Sequence, residues 1–577
     1  MTKRDFFIPK MFYRMLIPSV ISSFGFALAD MADALVVGSR LGETGLAATS
    51  LALPVYMLIN LFMDGFGIGG SVYFSQKLGE GDTEQARNCF NRTWTAVLAF
   101  GLIIAAVINI FPQQCLGLLG TVPSDGEVYT ACLDYIRIVA LGAPLLMLNV
   151  VFANFLRNDN NAKLASVGFL IGNTCDILLN IVFVIFLDLG TKGAALSTVT
   201  GSLIAVIIYM PGIIGNKAGV IKIQRFVPNL RQVMRFFRTG FSTSSKHLLQ
   251  LVFFLVINRL LMEKSGESGV AVFDIVYNVS FFTTYLYEGI SEAAQPLVST
   301  FTGENNESDC KYVLHLSKIW ALILGFFVTV LIAVFAKGIS AFFGISESLI
   351  SESCAAVRIY CIGFAFAALN IINEKYYQSK DIFLPSFIIV LMREFALLIP
   401  CAIILSEFDF PAIWFMYPLT EFMTSVIFAL TRRFTVKKTE YDQSRILRIM
   451  IDNSQDSIES ALSQSRSFCE SLGADTKQEF AVTLVIEEIC MSIIRNAMKN
   501  MPGGKIRITL NALENGDFAL NILDNAVEFN PFSFMTKKIK NENDFDIDEI
   551  SMTMIKSKTK KFMYRKSSGF NSLSVRI

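Results

Sequence analysis

The stretch Gly42-Glu43-Thr44-Gly45-Leu46-Ala47 returns as Gly266-Glu267-Ser268-Gly269-Val270-Ala271, 224 residues further along the chain. The same offset carries Gly65 to Gly289 and Gly79-Glu80 to Gly303-Glu304. Three matches at one spacing identify a duplicated unit. Each copy is built of long apolar stretches, so the duplication lies in a membrane. Two membrane-embedded copies in one chain point to a transporter with a path between them.

Working outward from the repeat, stretches of about 20 apolar residues, the length that crosses a bilayer, fall at 15–37, 46–72, 93–112, 130–152, 164–187 and 193–214. A second set falls at 241–262, 269–300, 316–337, 352–374, 385–406 and 410–430. The expected fold is an all-α polytopic membrane protein: twelve transmembrane helices in two six-helix lobes, followed by a cytosolic α+β sandwich domain. Six helices per copy give both copies one orientation and a symmetry axis along the membrane normal. The expected domains are a first lobe at 1–215, a basic linker at 216–240, a second lobe at 241–435 and a tail at 440–577.

Composition agrees. Of 577 residues 53% are hydrophobic and 51 are Phe, and mean hydropathy is +0.51, too apolar for one soluble domain. The net charge of +1 gives no reason to expect a nucleic-acid partner. Ten scattered cysteines include no Cys-x-x-Cys spacing, so neither a disulfide framework nor a metal site is expected. The basic N-terminus (Lys3, Arg4, Lys10, Arg14) precedes an apolar run too long for a signal peptide, which is expected to stay as a helix. Odd-numbered loops carry few basic residues, and even-numbered loops and the termini carry many. The central linker adds Lys217, Lys222, Arg225, Arg231, Arg235 and Arg238. By the positive-inside rule both termini and the linker are cytoplasmic in a multi-pass cell-membrane protein.

An ionisable group inside a spanning helix costs about 2.5–3.5 kcal/mol on insertion scales. Asp30 and Asp33 lie in the first helix, Asp176 and Asn180 one turn apart in the fifth, and Thr198 in the sixth. Their hard oxygen ligands suit Na⁺ or a proton. The acidic position at Asp64 is duplicated as Glu288, whereas Asp33 and Asp176 map to Ile257 and Pro400 at the same offset. The second copy offers instead Lys246, His247, Gln250 and Glu374. It also carries Arg393-Glu394, read as a neighbouring pair near the start of the eleventh helix. Pro18 removes a backbone hydrogen bond in the first helix and marks a hinge.

The membrane part contains Ile17-Pro18, Asp33-Ala34-Leu35-Val36-Val37-Gly38 and Gly79-Glu80-Gly81-Asp82 through Ala86-Arg87. Later come Gly190-Thr191-Lys192-Gly193-Ala194-Ala195-Leu196-Ser197-Thr198, Gln295-Pro296, Arg393 and Trp414. Together these resemble the MATE family, the multidrug and toxic compound extrusion transporters, over residues 10–435. The resemblance implies cation-coupled antiport of organic compounds by alternating access. It also implies a first-lobe cation site drawn from an Asp on the first helix, an Asn and an Asp on the fifth, and a Thr on the sixth. Asp33 and Thr198 match; Asp176 and Asn180 stand in reversed order. Gln250 stands where other members carry a seventh-helix Glu, so the resemblance implies no cation site in the second lobe.

After Arg432-Arg433 the chain becomes polar. Apolar spacing predicts helices at 458–472 and 478–500 and strands at 505–510, 518–523 and 573–577. Val485-Ile486-Glu487-Glu488 through Asn496 and Asp524-Asn525-Ala526-Val527-Glu528-Phe529-Asn530-Pro531 resemble two boxes of the anti-sigma-factor kinases, members of the histidine-kinase-like ATPase fold. The resemblance places nucleotide contacts at Glu488, Ser492, Asn496 and Asp524. It also marks the site as degenerate: Ser492 stands at the Mg²⁺-holding Asn, Ala526 at a Gly, and Ile550-Ser551-Met552-Thr553-Met554-Ile555 at a glycine-rich box. Lys556, Lys558, Lys560 and Lys561 are basic enough to attract phosphate, and ATP is the nucleotide the fold implies. The tail contains no histidine, and no Walker motif occurs in the chain. The expected role is regulatory or docking, with a cytosolic protein as partner. Two other readings share the architecture: a membrane ligand sensor signalling through the tail, and a lipid or polyisoprenoid flippase.

Overall fold

The computed structural model describes residues 6–119, 121–215, 219–224, 229–343, 345, 347–408, 410–435, 443–499, 501–513, 515–532, 555, 558–567 and 569–577. The side chains of Asp30 and Asp33, and the segment Ile550-Ser551-Met552-Thr553-Met554 with Lys556, lie outside the described residues.

Among the described residues eleven helices are long and apolar enough to cross a membrane, and a bent pair, taken as one span, makes a twelfth. They are α1 (Phe7–Ala29), α2 (Ala47–Gly79), α3 (Thr83–Ile110), α4 (Glu127–Asn158), α5 (Ala162–Phe186) and α6 (Gly190–Ile214). The second set is α7 (Leu230–Gly266), α8 (Ser268–Gly303), α9 (Glu307–Phe342), α10 (Glu347–Cys361 with Phe364–Ser379, bent by 45°), α11 (Phe383–Leu405) and α12 (Ala412–Arg432). Two sequence expectations shift. The first helix begins at Phe7, where Phe7, Met11 and Phe12 are buried against α8 and α9 residues. The linker ends early: helix begins at Leu230, capped by Asn229, and Phe236 and Gly240 pack against α2. The rest of the described linker is also held, since Asp159 accepts the backbone N–H groups of Val220 and Ile221 at 2.9–3.0 Å.

The duplication is visible in the backbone. Gly81 and Asn305, 224 apart, both take positive φ at the turn after α2 and α8. The next residues, Asp82 and Asn306, both cap a helix by accepting an N–H three residues on. Asn160 and Asp381 repeat the positive-φ turn before α5 and α11 at an offset of 221. The second copy is therefore three residues shorter between these turns, and Asp176 maps to Leu397 rather than Pro400. Gly266 takes φ 64° and breaks the chain between α7 and α8, a conformation for which glycine carries no Cβ penalty.

The repeated glycines make reciprocal contacts between lobes. A Cβ on Gly79 would overlap the carbonyl of Thr300, and one on Gly303 would overlap that of Gln76, which is Thr300's counterpart. Likewise Gly65 packs on Ser244 and Gly289 on its counterpart Val20. The lobes thus meet closely at the end of the bundle that carries the tail.

The tail is an antiparallel sheet of order β1-β2-β3-β5-β4, with β1 (Ile446–Asp452), β2 (Lys505–Ala512), β3 (Phe518–Asp524), β4 (Lys561–Ser567) and β5 (Phe570–Arg576). Helices α13 (Gln455–Ser471) and α14 (Thr476–Ala497) cover one face. Ile506, Ile508, Leu510, Leu520, Ile522, Leu573 and Val575 point into that core, as period-2 alternation requires. Strand β1 alternates in the same way, with Ile449 and Ile451 in that core and Met450 exposed, and on β4 Tyr564 packs against it.

Candidate functional site

The helix contacts that build the two-lobe bundle bring a chain of charges to the lobe interface. Asp64 on α2 lies 3.0 Å from His247 Nε2 on α7, across the lobes. Its repeat partner Glu288 lies 2.6 Å from Lys246 Nζ. One turn along α8, Glu292 lies 3.1 Å from Arg157 of the first lobe, and Ser23 on α1 donates to it at 3.5 Å. Asn158 donates to Gln295 at 3.0 Å, again across the lobes. The duplicated acidic position thus meets a basic side chain of α7 in both copies.

The second lobe carries the densest group. Arg393 sits near the middle of α11, not at its start, in a π-helical segment, Met392–Ala396. Such segments commonly mark functional sites. Its Nε donates to both oxygens of Glu421 at 2.9 and 3.0 Å, and it pairs with Glu374 at 3.4 Å and Glu394 at 3.9 Å. Asn370 donates to Glu421 at 2.7 Å, and Gln250 donates to Glu394 at 3.2 Å. The adjacent Arg393-Glu394 contact is therefore the longest of Arg393's three, and the main partner is Glu421 on α12. Charges this deep persist only when paired and hydrogen-bonded.

In the first lobe, Asp176 and Asn180 share the buried face of α5. A π-helical segment, Ile181–Phe186, follows them. Asp176 abuts α6, because a Cβ on Gly201 would lie 2.9 Å from the Asp176 Cβ. Thr198, one turn before Gly201, donates its hydroxyl to Ala194 O at 3.2 Å, leaving oxygen lone pairs free to accept. Pro18 lies inside helix. Beside the charges, aromatic rings run along the interface: Tyr277–Phe281 at 6.1 Å, Phe281–Tyr285 at 4.6 Å and Tyr285–Phe26 at 5.0 Å between centroids.

Sequence reasoning overlooked Glu292, Glu421 and Arg157. The first two lie inside predicted spans, so the insertion-cost argument that flagged Asp33 flags them too. Arg157 lies beyond the predicted span 130–152, where it reads as one of the basic loop residues.

In the tail, Asp524 is buried, and its carboxylate accepts Asn571 Nδ2 at 2.8 Å and the Ala526 N–H at 2.9 Å. Burial pushes its pKa up to about 6, against those two donors. Asn571 also donates to Val527 O at 2.9 Å, closing the 524–527 loop onto β5. Ser492 is buried, and Asn496 donates to the Ser492 backbone carbonyl at 3.0 Å. Lys560 pairs with Asp517, and Lys561 reaches Asp82 of the first lobe at 3.2 Å. Two of the lysines suited to phosphate thus hold protein carboxylates instead. No group of three or more metal-type ligands occurs among the described residues.

The model of the family described as MatE matches residues 18–182 and 244–404, covering both lobes. The chain belongs to the MatE family. Its tail, residues 451–577, matches the histidine kinase-like ATPase domain. This MatE chain is 26% identical over 295 residues to the multidrug export protein MepA of Staphylococcus aureus strain MRSA252, a match covering 51% of the chain and 64% of MepA. Its fold is similar to a MATE-family multidrug resistance transporter solved in an outward-facing conformation, with TM-score 0.70, 21% identity and coverage of 74% of this chain and 96% of that one. A transporter of the same superfamily from Pyrococcus furiosus, described as having reversed binding-pocket polarity, matches with TM-score 0.69 and 22% identity over 74% of this chain and 95% of that one.

Proposed function

We propose that this MatE chain is a secondary active antiporter in the cell membrane, both termini cytoplasmic. It exports organic cations or aromatic compounds in exchange for H⁺ or Na⁺. The observation that carries the reading is the interface itself: Asp64, Glu288 and Glu292 line the seam between two lobes, beside the ladder from Tyr277 to Phe26. Aromatic faces with nearby carboxylates attract organic cations. The coupling ion binds at Asp33 with Asp176, Asn180 and Thr198, Asp30 standing close by, and Pro18 lets α1 bend. Neutralising two neighbouring carboxylates favours a state of lower substrate affinity, so substrate leaves outward.

The tail regulates rather than catalyses. Ser492 puts a short, buried hydroxyl where the family has an amide, and Asp524 is already engaged by Asn571. The test is transport of a fluorescent organic cation in proteoliposomes under an imposed H⁺ or Na⁺ gradient. Gradient-driven accumulation is expected, and it is lost in Asp33→Asn and Asp176→Asn with the fold intact. Accumulation that ignores both gradients would sink the reading. A sensor reading draws on the tail's contact with both lobes; it predicts that deletion after residue 440 abolishes an output other than transport.

A further inference from the structure

The outer face of the tail's sheet should be exposed to water, since α13 and α14 cover only the other face. It is buried. Arg507, Thr509, Asn511, Ser572 and Ser574 retain between 2% and 7% of their surface. What buries them is the end of the membrane module, and the contacts divide between its two lobes.

Against the first lobe, Lys561 pairs with Asp82. Met563 joins the first lobe's core cluster. At the start of α1, which itself packs on α8 and α9, the Arg14 guanidinium lies 4.7 Å from the Phe570 ring centroid, and Phe7 meets that ring edge-on at 5.2 Å. Against the second lobe, Arg507 pairs with Asp309 at 3.0 Å. Arg448 bonds to Asn306 and Ser308, and Asn511 donates to the carbonyl of Glu304. Buried Arg565 stands between the lobes, 4.0 Å from Glu304 of the second and within the field of Asp159 of the first. The turns engaged, 80–82 and 304–306, are the repeat-related turns that flank the Gly79 and Gly303 contact. A cavity of about 800 Å³ beside them, between residues 79–81, 302–305 and 511–513, admits solvent to the seam.

Alternating access requires the lobes to part at this end. A rigid sheet bonded to both sides of the seam opposes that parting. We propose that the tail is an intramolecular clamp whose outer sheet face bridges the two lobes and holds the tail-side gate shut until it undocks. The inference rests on the antiporter reading only for its consequence on export, not for the clamp itself.

The experiment reads the gate directly in the full-length chain. Eight native cysteines are buried, so replacing Cys115 and Cys175 by serine leaves a quiet background. Nitroxide labels on Glu84→Cys and Lys311→Cys, both exposed, report the lobe separation by pulsed electron resonance without gradient or substrate. The expected result is one short distance in the parent chain, and a second, longer population in Arg507→Glu/Arg565→Glu or, if that variant fails to fold, in Lys561→Glu. Hydrogen exchange at 304–309 should rise in step. Freed 304–309 amides with an unchanged distance would overturn the clamp, as would charge reversal that leaves the tail docked. A second arm locks the tail. The Ser574 Cβ lies 3.7 Å from the Cβ position of Gly81, within disulfide reach. Oxidised Gly81→Cys/Ser574→Cys should lose most export and regain it on reduction; undiminished export in the oxidised form refutes the clamp. A chain that exports nothing leaves the distance arm decisive and faults the antiporter reading alone.

Discussion

The two lobes are copies in backbone and strangers in chemistry. They share positive-φ turns at Gly81 and Asn305 and caps at Asp82 and Asn306. They also share reciprocal glycine contacts at Gly79 and Gly303. Yet the first lobe presents Asp176 and Asn180 on one helix face, while the second concentrates Arg393, Glu374, Glu394 and Glu421. Turns and caps are set by a few obligatory backbone conformations, which a duplication must keep in both copies to fold. Side chains packed inside a single lobe carry no such obligation, and the acidic position kept in both copies, Asp64 and Glu288, is one at the seam.

Breaking the charged group should cost most. Arg393→Met strands Glu421 and Glu374 in the bundle, a loss of about 3–5 kcal/mol, read as a lower unfolding temperature of the purified protein. Asp176→Asn, by contrast, should leave that temperature within a few degrees while removing gradient-driven export; equal destabilisation by both would erase the distinction between the lobes. The backbone symmetry is sharpened by Gly79→Ala and Gly303→Ala. Each pushes a methyl into a carbonyl of the other lobe and should cost a similar amount, about 1–3 kcal/mol, by the same thermal assay. A cost confined to one of them would break the reciprocity.

The smallest effect concerns Glu304. Docking buries it and pushes its pKa up to about 7, although Arg565, Arg507 and Arg448 oppose the rise; Asp309 adds to it. Undocked in water it returns toward its ordinary value near 4.5. The docked tail therefore binds the proton more tightly. Its contribution is complete below about pH 4.5 and is lost as pH rises through about 7. Hydrogen-exchange protection of 304–309, taken relative to the intrinsic rise of amide exchange with pH, should fall over that window in the parent and stay flat in Glu304→Gln.

Much of this was legible. Hydropathy located the spans because a bilayer imposes length, and the glycine repeat located the lobes because close helix contacts tolerate no Cβ. The tail's β2, β3 and β5 showed their alternation toward α13 and α14. Strands β1 and β4 were harder to read: Ile449, Ile451 and Tyr564 turn to that core, but apolar Met450 and Met563 fill intervening positions and mask the period, Met563 because it packs on the membrane module. The Arg393 partnership with Glu421 stayed hidden for a related reason: the two lie 28 residues apart, and only the packing of α11 against α12 joins them. The structural offset of 221 also shows that a repeat spacing read at one end of a copy drifts by the other.

The doubly covered sheet has a further consequence. Any protein that needs the tail's outer face must compete with the membrane module for it. Whatever free energy such a partner spends displacing the sheet is spent on parting the lobes, and whatever favours parted lobes raises the partner's affinity by the same factor. Under the proposed clamp, transport turnover and partner occupancy become two readings of one equilibrium.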